Sequence, residues 1–317
     1  MSQETTSVAP TRVEAWLMAA RPQTLPAGAA PVVVGTGLAV YEGVAAPLVA
    51  VAALVGALLL QIGTNFANDY YDYLNGADTE DRSGFTRVTA GGLIDPTAVK
   101  RAMWGTYGLA VVVGAYLAWL GGLPVVIVGL SGIAAGVLYT GGPYPYGYRG
   151  LGDLFVFVYF GLIAVAGTYY VQAASAVQPF PLWIPPDTVP IAAVVAGLPA
   201  AGLSTAILVV NNIRDRETDA AVGKRTLAVM LGYRAARLEF LLAVGLAYAI
   251  PVAFSLTGYG PLSLLPLATL PLAASIGATV LGETSGAALN PALERTGQLL
   301  FAHSILFAGG LTVASYL

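Results

Sequence analysis

Two short polar segments interrupt an otherwise apolar chain, and both carry acids and amides at helical spacing. The first reads QIGTNFANDYYDYLNGADTEDRSGFTR over residues 61–87. Intervals of three and four residues put side chains on one face of a helix. Because ionisable groups at the end of an apolar helix are costly and usually functional, we expect a site here rather than an ordinary solvated loop. The candidate side chains of this first segment are Asn65, Asn68, Asp69, Asp72, Asp78 and Asp81.

The second segment reads LVVNNIRDRETDAAVGKRTLAV over residues 208–229. It repeats the pattern Asn-(Asp/Asn)-x-x-Asp, which occurs at 68–72 and again at 211–215. Asn212, Asp215 and Asp219 stand at positions i, i+3 and i+7, so a continuous helix would align them in one stripe. This weak repeat in the two halves of the chain predicts that the segments face each other.

Carboxylate and amide oxygens are hard ligands that suit Mg²⁺, which is commonly shared between one or two carboxylates and a phosphate. Basic residues lie among the acids, and guanidinium groups suit the oxygens of a diphosphate. Another arginine precedes the first apolar stretch, where it either reaches the diphosphate or extends to the membrane interface. The candidate diphosphate-binding residues are Arg21, Arg82, Arg87, Arg214, Lys224 and Arg225.

The elements that must position these residues are membrane helices. Of the 317 residues, 57% are hydrophobic and 10% are charged, too few charges for an ordinary water-facing surface. The net charge of −3 gives no indication of nucleic acid binding, and the absence of cysteine excludes thiolate chemistry. We predict an all-α protein with nine spans. They lie at about 24–41, 46–67, 98–119, 123–140, 153–173, 189–210, 234–256, 260–281 and 297–316.

The basic residues predict the orientation. With nine spans, all 14 lysines and arginines fall in the N-terminal segment, in the loops after spans two, four, six and eight, or at the adjoining ends of spans. The positive-inside rule makes that side cytoplasmic. We therefore expect a multi-pass protein of the cytoplasmic membrane with a cytoplasmic N-terminus. Residues 1–11 form a disordered tail, 12–317 form one domain, and the inside loops at about 68–97 and 211–233 carry the acids.

Several further residues have two plausible roles. The loop YTGGPYPYGYRGLGD over residues 139–153 is either an interfacial aromatic belt or a wall of a pocket for an aromatic substrate. His303, the only histidine, is expected to be a hydrogen-bonded packing residue in the last span. The candidates for the aromatic-substrate or prenyl pocket are Asn65, Tyr70, Tyr139, Tyr148 and Arg149.

The segments NDYYD (68–72) and NNIRDRETD (211–219) resemble the two Asp-rich motifs of the UbiA superfamily of intramembrane prenyltransferases. The likeness extends through AARPQTLPAGAAPVVVG, GGPYPYGYRGLGDLFVFVYFG, GTYYVQ and LNPAL, and is greatest to the 1,4-dihydroxy-2-naphthoate polyprenyltransferase (MenA-type) branch. Position 76, where the superfamily pattern has a further acid, is glycine, and acids follow at 78 and 81 as in that branch. Any of Asp72, Asp78 and Asp81 could then be the direct metal ligand.

The resemblance implies a nine-helix bundle and Mg²⁺ bound by Asn68, Asp69, Asp72, Asp78, Asp81, Asn212, Asp215 and Asp219. Among these, Asp72, Asp215 and Asp219 are the implied catalytic residues. It also implies transfer of a polyprenyl group from its diphosphate to dihydroxynaphthoate, with loss of CO₂ and diphosphate. The implied partners are the two substrates and the lipid bilayer, without nucleic acid or an obligate protein partner.

Three alternatives to this interpretation stay open. The acceptor could be 4-hydroxybenzoate or homogentisate. A secondary transporter would place its acids near the middle of spans, whereas these lie at span ends. A CDP-alcohol phosphotransferase would need a DG-x-x-AR motif, which the sequence does not contain.

Overall fold

The protein is described by a computed structural model that covers residues 10–77, 87–177 and 179–317. Within these ranges the chain is helical and contains no strand, which confirms the predicted all-α class. The α-helices are α1 (Arg12–Ala20), α2 (Leu25–Tyr41), α3 (Pro47–Leu74), α4 (Pro96–Leu138), α5 (Gly152–Val156), α6 (Ala164–Ala174), α7 (Ile191–Val195), α8 (Leu198–Arg214), α9 (Arg216–Ala221), α10 (Leu227–Leu256), α11 (Leu270–Gly282) and α12 (Gly286–Ala314).

Local sequence signals explain where several helices begin. Thr11 and Glu14 form a reciprocal capping box at the start of α1. Proline occupies the first position of α3 and α4, where its missing N–H would have no helical partner. Thr226 and Ser285 cap α10 and α12 with their side-chain oxygens. The helices therefore begin at residues that satisfy, or do not need, the first backbone donors.

Within the described residues, eight segments are long and apolar enough to cross a membrane, compared with nine predicted spans. The difference lies in α4, whose 43 residues cover the third and fourth predicted spans. Its helical geometry breaks at Gly122, which has φ 65° and ψ −153°. The chain can adopt this conformation there because glycine has no Cβ.

The two halves of α4 fold back on each other at this break. A Cβ built on Gly136 would lie 2.6 Å from the Tyr107 hydroxyl oxygen. In a straight helix, these two positions would be about 43 Å apart at about 1.5 Å per residue. The halves therefore form a helical hairpin, in which the first half is about 39 Å long and the second about 24 Å, compared with a bilayer core of about 30 Å. Nine crossings and a cytoplasmic N-terminus stay predictions.

The helices pack around two apolar clusters. The larger joins α2, α6, α8, α10, α11 and α12 and includes Leu38, Leu203 and Phe307, all fully buried. The smaller joins α1, α3 and α4 through side chains such as Phe66 and Met103. Both Asp-rich segments adjoin these clusters, since α3 carries the first segment and α8 carries the start of the second.

His303 on α12 has the packing role that the sequence predicted. Pro251 lies inside α10 and provides no N–H, so the carbonyl of Ala247, four residues earlier, loses its helical partner. The His303 Nε2 atom lies 3.1 Å from that carbonyl oxygen and can donate to it. The histidine is fully buried, and it satisfies a backbone acceptor that the proline has freed.

Candidate active site

The first Asp-rich segment lies on the last turns of α3, which continues to Leu74. Asn65, Asn68 and Asp72 therefore share one face of a continuous helix, as their spacing predicted. The Asp72 carboxylate is 2% exposed and accepts two charge-assisted hydrogen bonds. Arg87 donates to one oxygen over 2.8 Å, and the Tyr148 hydroxyl donates to the other over 2.6 Å.

The neighbouring side chains of this segment are held by threonines. The buried Asp69 carboxylate accepts from both the backbone N–H and the hydroxyl of Thr89. The Thr140 hydroxyl donates to the Asn68 side-chain oxygen over 3.1 Å. Asp69 therefore contacts Thr89, in the chain before α4. Asn68 contacts Thr140 and Asp72 contacts Tyr148, both in the chain after α4.

Asn65 lies one turn further into the bundle and connects α3 with the chain before α2. Its amide nitrogen donates to the Ala20 carbonyl over 2.9 Å and to the Thr24 hydroxyl over 2.8 Å. These contacts hold the turn that carries Arg21, which has a left-handed backbone with φ 52°. Arg21 is close enough to Asp69 for its positive charge to favour the ionised carboxylate.

The second Asp-rich segment departs from the single helical stripe that its spacing predicted. Helix α8 ends at Arg214, and the short α9 begins at Arg216. Asp215 joins the two with φ −93° and ψ 5°, outside regular helical values. The interruption is local, because the Asp219 N–H still donates to the Asp215 carbonyl over 2.7 Å.

Arg214 forms an ion pair with the next residue in the chain, Asp215. Its guanidinium group donates to both oxygens of the Asp215 carboxylate, each over 2.7 Å. It also donates to the side-chain oxygens of Asn211 and Asn290, over 2.7 and 2.9 Å. Arg214 is 8% exposed and Asp215 is 1% exposed. The arginine that was expected on the diphosphate thus holds a carboxylate in place and links α8 to α12.

Asp219, on α9, pairs with a lysine that follows it in the chain. The Lys224 ammonium lies 3.5 Å from the carboxylate and 4.9 Å from the centre of the Tyr148 ring. On α8, the Asn212 amide lies 3.5 Å from the buried Asp153 carboxylate of α5, at the limit of a hydrogen bond. The second segment therefore contacts the chain that follows α4 through both Tyr148 and Asp153.

Each of the three acids that the sequence marked as catalytic lies beside a cation of the protein. The pairs are Arg87 with Asp72, Arg214 with Asp215, and Lys224 with Asp219. Two acidic clusters that face each other repel unless cations lie between them. Here these cations supply that compensation, which is necessary because unpaired charges are costly when buried.

The donor chemistry of the site fits Mg²⁺. Among the described residues, no three acids, histidines or cysteines come together as a metal cage. Mg²⁺ does not require such a cage, because it keeps several waters and binds through one or two carboxylates plus substrate phosphates. Asp72 accepts from the Tyr148 hydroxyl, Asp219 pairs with the Lys224 that lies over the Tyr148 ring, and Asn68 adds an amide oxygen.

A cavity of about 260 Å³ lies in the bundle beside the first Asp-rich segment, and Asn65 and Asn68 form part of its wall. Along α3 its wall runs from Asn68 to Ala57, a distance of about 16 Å along the helix axis. Most of the other lining is apolar and comes from α2, the second half of α4 and the chain after α5. The cavity wall is polar near Asn65 and Asn68 and mostly apolar elsewhere, which suits a substrate with a charged head and an apolar tail.

Aromatic rings form the wall of the cavity next to Asn68. Tyr139 meets Tyr146 edge to face, with ring centres 5.4 Å apart, and Tyr146 stacks on Phe155 at 4.1 Å. Tyr159 and Phe160 extend this wall on a π-helical stretch, Phe157–Ile163, a type of distortion that is common at functional sites. Burial raises the pKa of Tyr146 above its ordinary value, so this ring stays neutral.

Two of the five predicted pocket residues line the cavity and three lie outside its wall. Asn65 and Tyr139 line the cavity, whereas Tyr70, Tyr148 and Arg149 do not. Tyr70 packs beneath Lys100, with the ammonium 5.6 Å from the ring centre. The exposed Arg149 covers the ring of Tyr144, and Tyr148 contacts Asp72 instead.

The other predicted binding residues differ in how they reach the site. Arg87 and Lys224 reach its carboxylates, and Arg21 acts on Asp69. The Arg225 side chain is exposed, while its backbone N–H donates to the Tyr148 carbonyl over 2.9 Å. Asp78, Asp81 and Arg82 lie outside the described residues.

Several residues that hold the site were not identified from the sequence. Apart from Asn211, which stands beside Asn212 in the second Asp-rich segment, they lie outside both Asp-rich segments, so their proximity in space reveals them. The available signal was a polar residue within a quoted segment, since Thr140 and Asp153 lie in YTGGPYPYGYRGLGD and Asn290 lies in LNPAL. These residues are Thr89, Thr140, Asp153, Asn211 and Asn290.

Comparison with known proteins agrees with this geometry. Residues 29–296 match the UbiA prenyltransferase family. The 1,4-dihydroxy-2-naphthoate octaprenyltransferase of Mycobacterium tuberculosis is 40% identical, over 93% of this chain and 96% of the relative. The protein with the same name from Escherichia coli is 38% identical, over 96% and 97%.

Solved structures show the same fold at low sequence identity. A UbiA homolog from Aeropyrum pernix, in its apo form, has a TM-score of 0.68 and 14% identity, covering 90% of this chain and 97% of that one. A UbiA homolog from Archaeoglobus fulgidus, bound to DMAPP and Mg²⁺, has a TM-score of 0.56 and 16% identity, over 92% and 98%. The chain therefore belongs to the UbiA prenyltransferase family, and the enzyme class that its sequence indicated, a prenyltransferase, is confirmed.

Proposed function

We propose that this protein transfers a polyprenyl group from prenyl diphosphate to 1,4-dihydroxy-2-naphthoate, releasing diphosphate and CO₂ and giving demethylmenaquinol. The observation that carries the proposal is an apolar, aromatic-lined cavity whose wall includes Asn68, directly beside the buried acids Asp69 and Asp72 on α3. The likeness to naphthoate octaprenyltransferases over nearly the whole chain supports the choice of acceptor. The step belongs to menaquinone biosynthesis.

The polar end of the site suits the diphosphate. Asn68, Asp72, Asp215 and Asp219 would hold Mg²⁺, with Asp69 as a further candidate. When bound, Mg²⁺ supplies positive charge to the diphosphate oxygens. Cations of the protein assist there, because preorganised charge at a leaving group contributes most to the rate. The candidates for this assistance are Arg21, Arg82, Arg87, Arg214, Lys224 and Arg225.

The apolar end of the site suits the prenyl group. The bond between the allylic carbon and the diphosphate oxygen breaks, and its electron pair leaves with the diphosphate. The ring carbon that bears the carboxylate attacks the allylic cation and forms the new C–C bond. Loss of CO₂ leaves its bonding electrons in the ring and restores aromaticity. Rings such as Tyr139 and Tyr146 would help to exclude water from the cation.

We also propose the membrane arrangement that the sequence predicted. The protein crosses the cytoplasmic membrane nine times, with the two halves of α4 as separate spans. The N-terminus and both Asp-rich segments face the cytoplasm, where a soluble aromatic acid can enter. The hairpin at Gly122 and the even number of crossings between α3 and α8 support this arrangement.

The test is a product assay with the purified full-length protein in lipid. It is supplied with Mg²⁺, a prenyl diphosphate and dihydroxynaphthoate that is isotopically labelled in its carboxyl group. We expect demethylmenaquinol and labelled CO₂ in equal amounts, and neither product after chelation of the metal. Turnover of 4-hydroxybenzoate or homogentisate in place of the naphthoate would overturn the proposed acceptor but leave prenyl transfer intact.

A further inference from the structure

Tyr148 lies between the two Asp-rich segments and contacts both. It ends the single turn Tyr146–Tyr148, which connects α4 to α5. The sequence suggested a place in the substrate pocket, but the residue is outside the cavity lining. It contacts Asp72, Lys224 and Arg225 instead.

The contact with the first segment is made by the hydroxyl group. It donates to the Asp72 carboxylate over 2.6 Å, a short distance typical of a hydrogen bond to a charged oxygen. The other carboxylate oxygen accepts from Arg87 over 2.8 Å. A carboxylate has about four lone-pair sites, so each oxygen keeps one for a metal ion. The two donors together prevent the carboxylate from rotating.

The contacts with the second segment are made by the ring and the backbone. The Lys224 ammonium lies 4.9 Å from the ring centre, and the same ammonium pairs with Asp219. The Tyr148 carbonyl accepts from the Arg225 N–H over 2.9 Å. One residue therefore holds an acid of the first segment by its hydroxyl and the lysine partner of the second segment by its ring.

We propose that Tyr148 is a positioning residue that orients the Asp72 carboxylate for a divalent cation and ties the first Asp-rich segment to the second. The inference rests on the proposed function, in which Asp72 binds the metal. Carboxylates that ligate metals are commonly oriented by hydrogen bonds from a further residue, and losing that residue weakens metal binding about 10- to 100-fold.

The hydroxyl contact of Tyr148 with Asp72 and its ring contact with Lys224 can be separated by substitution. Tyr148→Phe removes the hydroxyl but keeps the ring beneath Lys224, so it tests the orientation of Asp72 alone. Tyr148→Leu removes both contacts and should weaken metal binding further. Tyr144→Phe is the matched control, because this tyrosine is in the same loop, is 55% exposed and keeps its ring against Arg149.

The experiment measures binding of Mn²⁺, as a spectroscopic probe, to the full-length protein in lipid with inorganic pyrophosphate present. We expect the dissociation constant for Mn²⁺ to rise about tenfold in Tyr148→Phe and to stay unchanged in Tyr144→Phe. In turnover assays, the Mg²⁺ concentration for half-maximal rate should rise by a similar factor. The rate at saturating Mg²⁺ should change less.

The outcomes separate this inference from the proposed function. If the unsubstituted protein binds Mn²⁺ with pyrophosphate and Tyr148→Phe binds it equally well, Tyr148 does not position the metal ligand. If the unsubstituted protein binds no Mn²⁺, the proposed metal site is wrong, and the role of Tyr148 is overturned with it. Should Tyr148→Leu fail to fold, the milder phenylalanine substitution still decides the question.

Discussion

At the scale of single residues, the buried ion pair of Arg214 and Asp215 is the most constrained part of the site. Both oxygens of the carboxylate accept from one guanidinium group, and two asparagines accept two more of its hydrogens. Only a planar guanidinium can make this set of contacts, since a lysine ammonium is a point charge. The pair therefore fixes Asp215 in one orientation.

We predict that Arg214→Lys lowers both stability and activity. The lysine keeps the charge but loses the bidentate geometry and cannot satisfy Asp215, Asn211 and Asn290 together. A buried pair that loses a partner costs about 3–5 kcal/mol, and we expect part of that loss here. The melting temperature in detergent should fall, and kcat/KM should fall about 10- to 100-fold.

Arg216→Lys is the control for this substitution. Arg216 is two residues away and pairs with the exposed Glu217, whose side chain is 74% accessible. Exposed pairs contribute about 0–1 kcal/mol, and Arg216 also donates to the Ala228 carbonyl and covers the Tyr233 ring, so this variant should lose less stability than Arg214→Lys and keep its activity. If Arg214→Lys behaves like Arg216→Lys, then the buried pair does not position Asp215.

At the scale of helices, two interruptions of helical geometry, at Asp215 and Gly122, shape the site. Asp215 interrupts the path from α8 to α9, and this lets Arg214 face the adjacent carboxylate. Gly122 breaks α4 and returns its second half to pack against α3. The second break delivers Gly136 and Tyr139 to the cavity. The geometry of the site thus depends on a turn within α4, at the tip of the hairpin that its two halves form.

We predict that Gly122→Ala strongly destabilises the protein. Its φ of 65° with ψ of −153° is open essentially only to glycine. A Cβ there would lie 1.7 Å from the Pro181 carbonyl oxygen, so backbone would have to move. We expect a loss of about 3 kcal/mol or more, measured as a fall in melting temperature and in the monodisperse fraction on gel filtration.

Gly114→Ala provides the matched comparison in the same helix. A Cβ at this position meets no atom within 4 Å, and alanine favours a helix by about 0.5–1 kcal/mol over glycine. This variant should fold as well as the original protein or slightly better. Equal stability of the two alanine variants would show that the hairpin does not require a glycine at 122.

At the scale of the whole molecule, the two ends of the bundle differ in chemistry. One end gathers both Asp-rich segments and the cations that pair with them. At the other end, Tyr259 donates to Glu42, and the backbone near Trp119 contacts the segment that carries Phe180. This asymmetry is what the positive-inside rule predicts for a protein with its site at the cytoplasmic face.

We predict that single cysteines will report this orientation. The chain contains no cysteine, so one introduced thiol is the only labelled position. Ala220→Cys lies on α9 beside Asp219, and Trp183→Cys lies in the loop after α6, where the side chain is 81% exposed. In intact cells, a maleimide that cannot cross membranes should label position 183 and not position 220.

Permeabilised cells are the control for this labelling. Both thiols should react once the reagent has access to the cytoplasm, because positions 183 and 220 are both exposed. Labelling of 220 but not of 183 in intact cells would invert the proposed orientation. Labelling of both would place the two positions on the same side and contradict the number of crossings between them.

The sequence by itself determined the helical class and the identity of the chemical groups at the site. Composition and apolar stretches indicate membrane helices without any knowledge of contacts. Spacing along α3 placed Asn65, Asn68 and Asp72 on one face, because helical periodicity is a local property. The same argument was less accurate for Asp215, where the helix breaks and the predicted stripe is interrupted.

Only the tertiary structure decided which groups pair and which residues hold them. Tyr148 and Asp72 are 76 positions apart in the chain, and so are Arg214 and Asn290. No local pattern links such positions, since their contact depends on how whole helices pack. The two Asp-rich segments and their candidate cations could therefore be identified from sequence, whereas the pairing of Arg87 and Tyr148 with Asp72 became evident only when the helices were packed together.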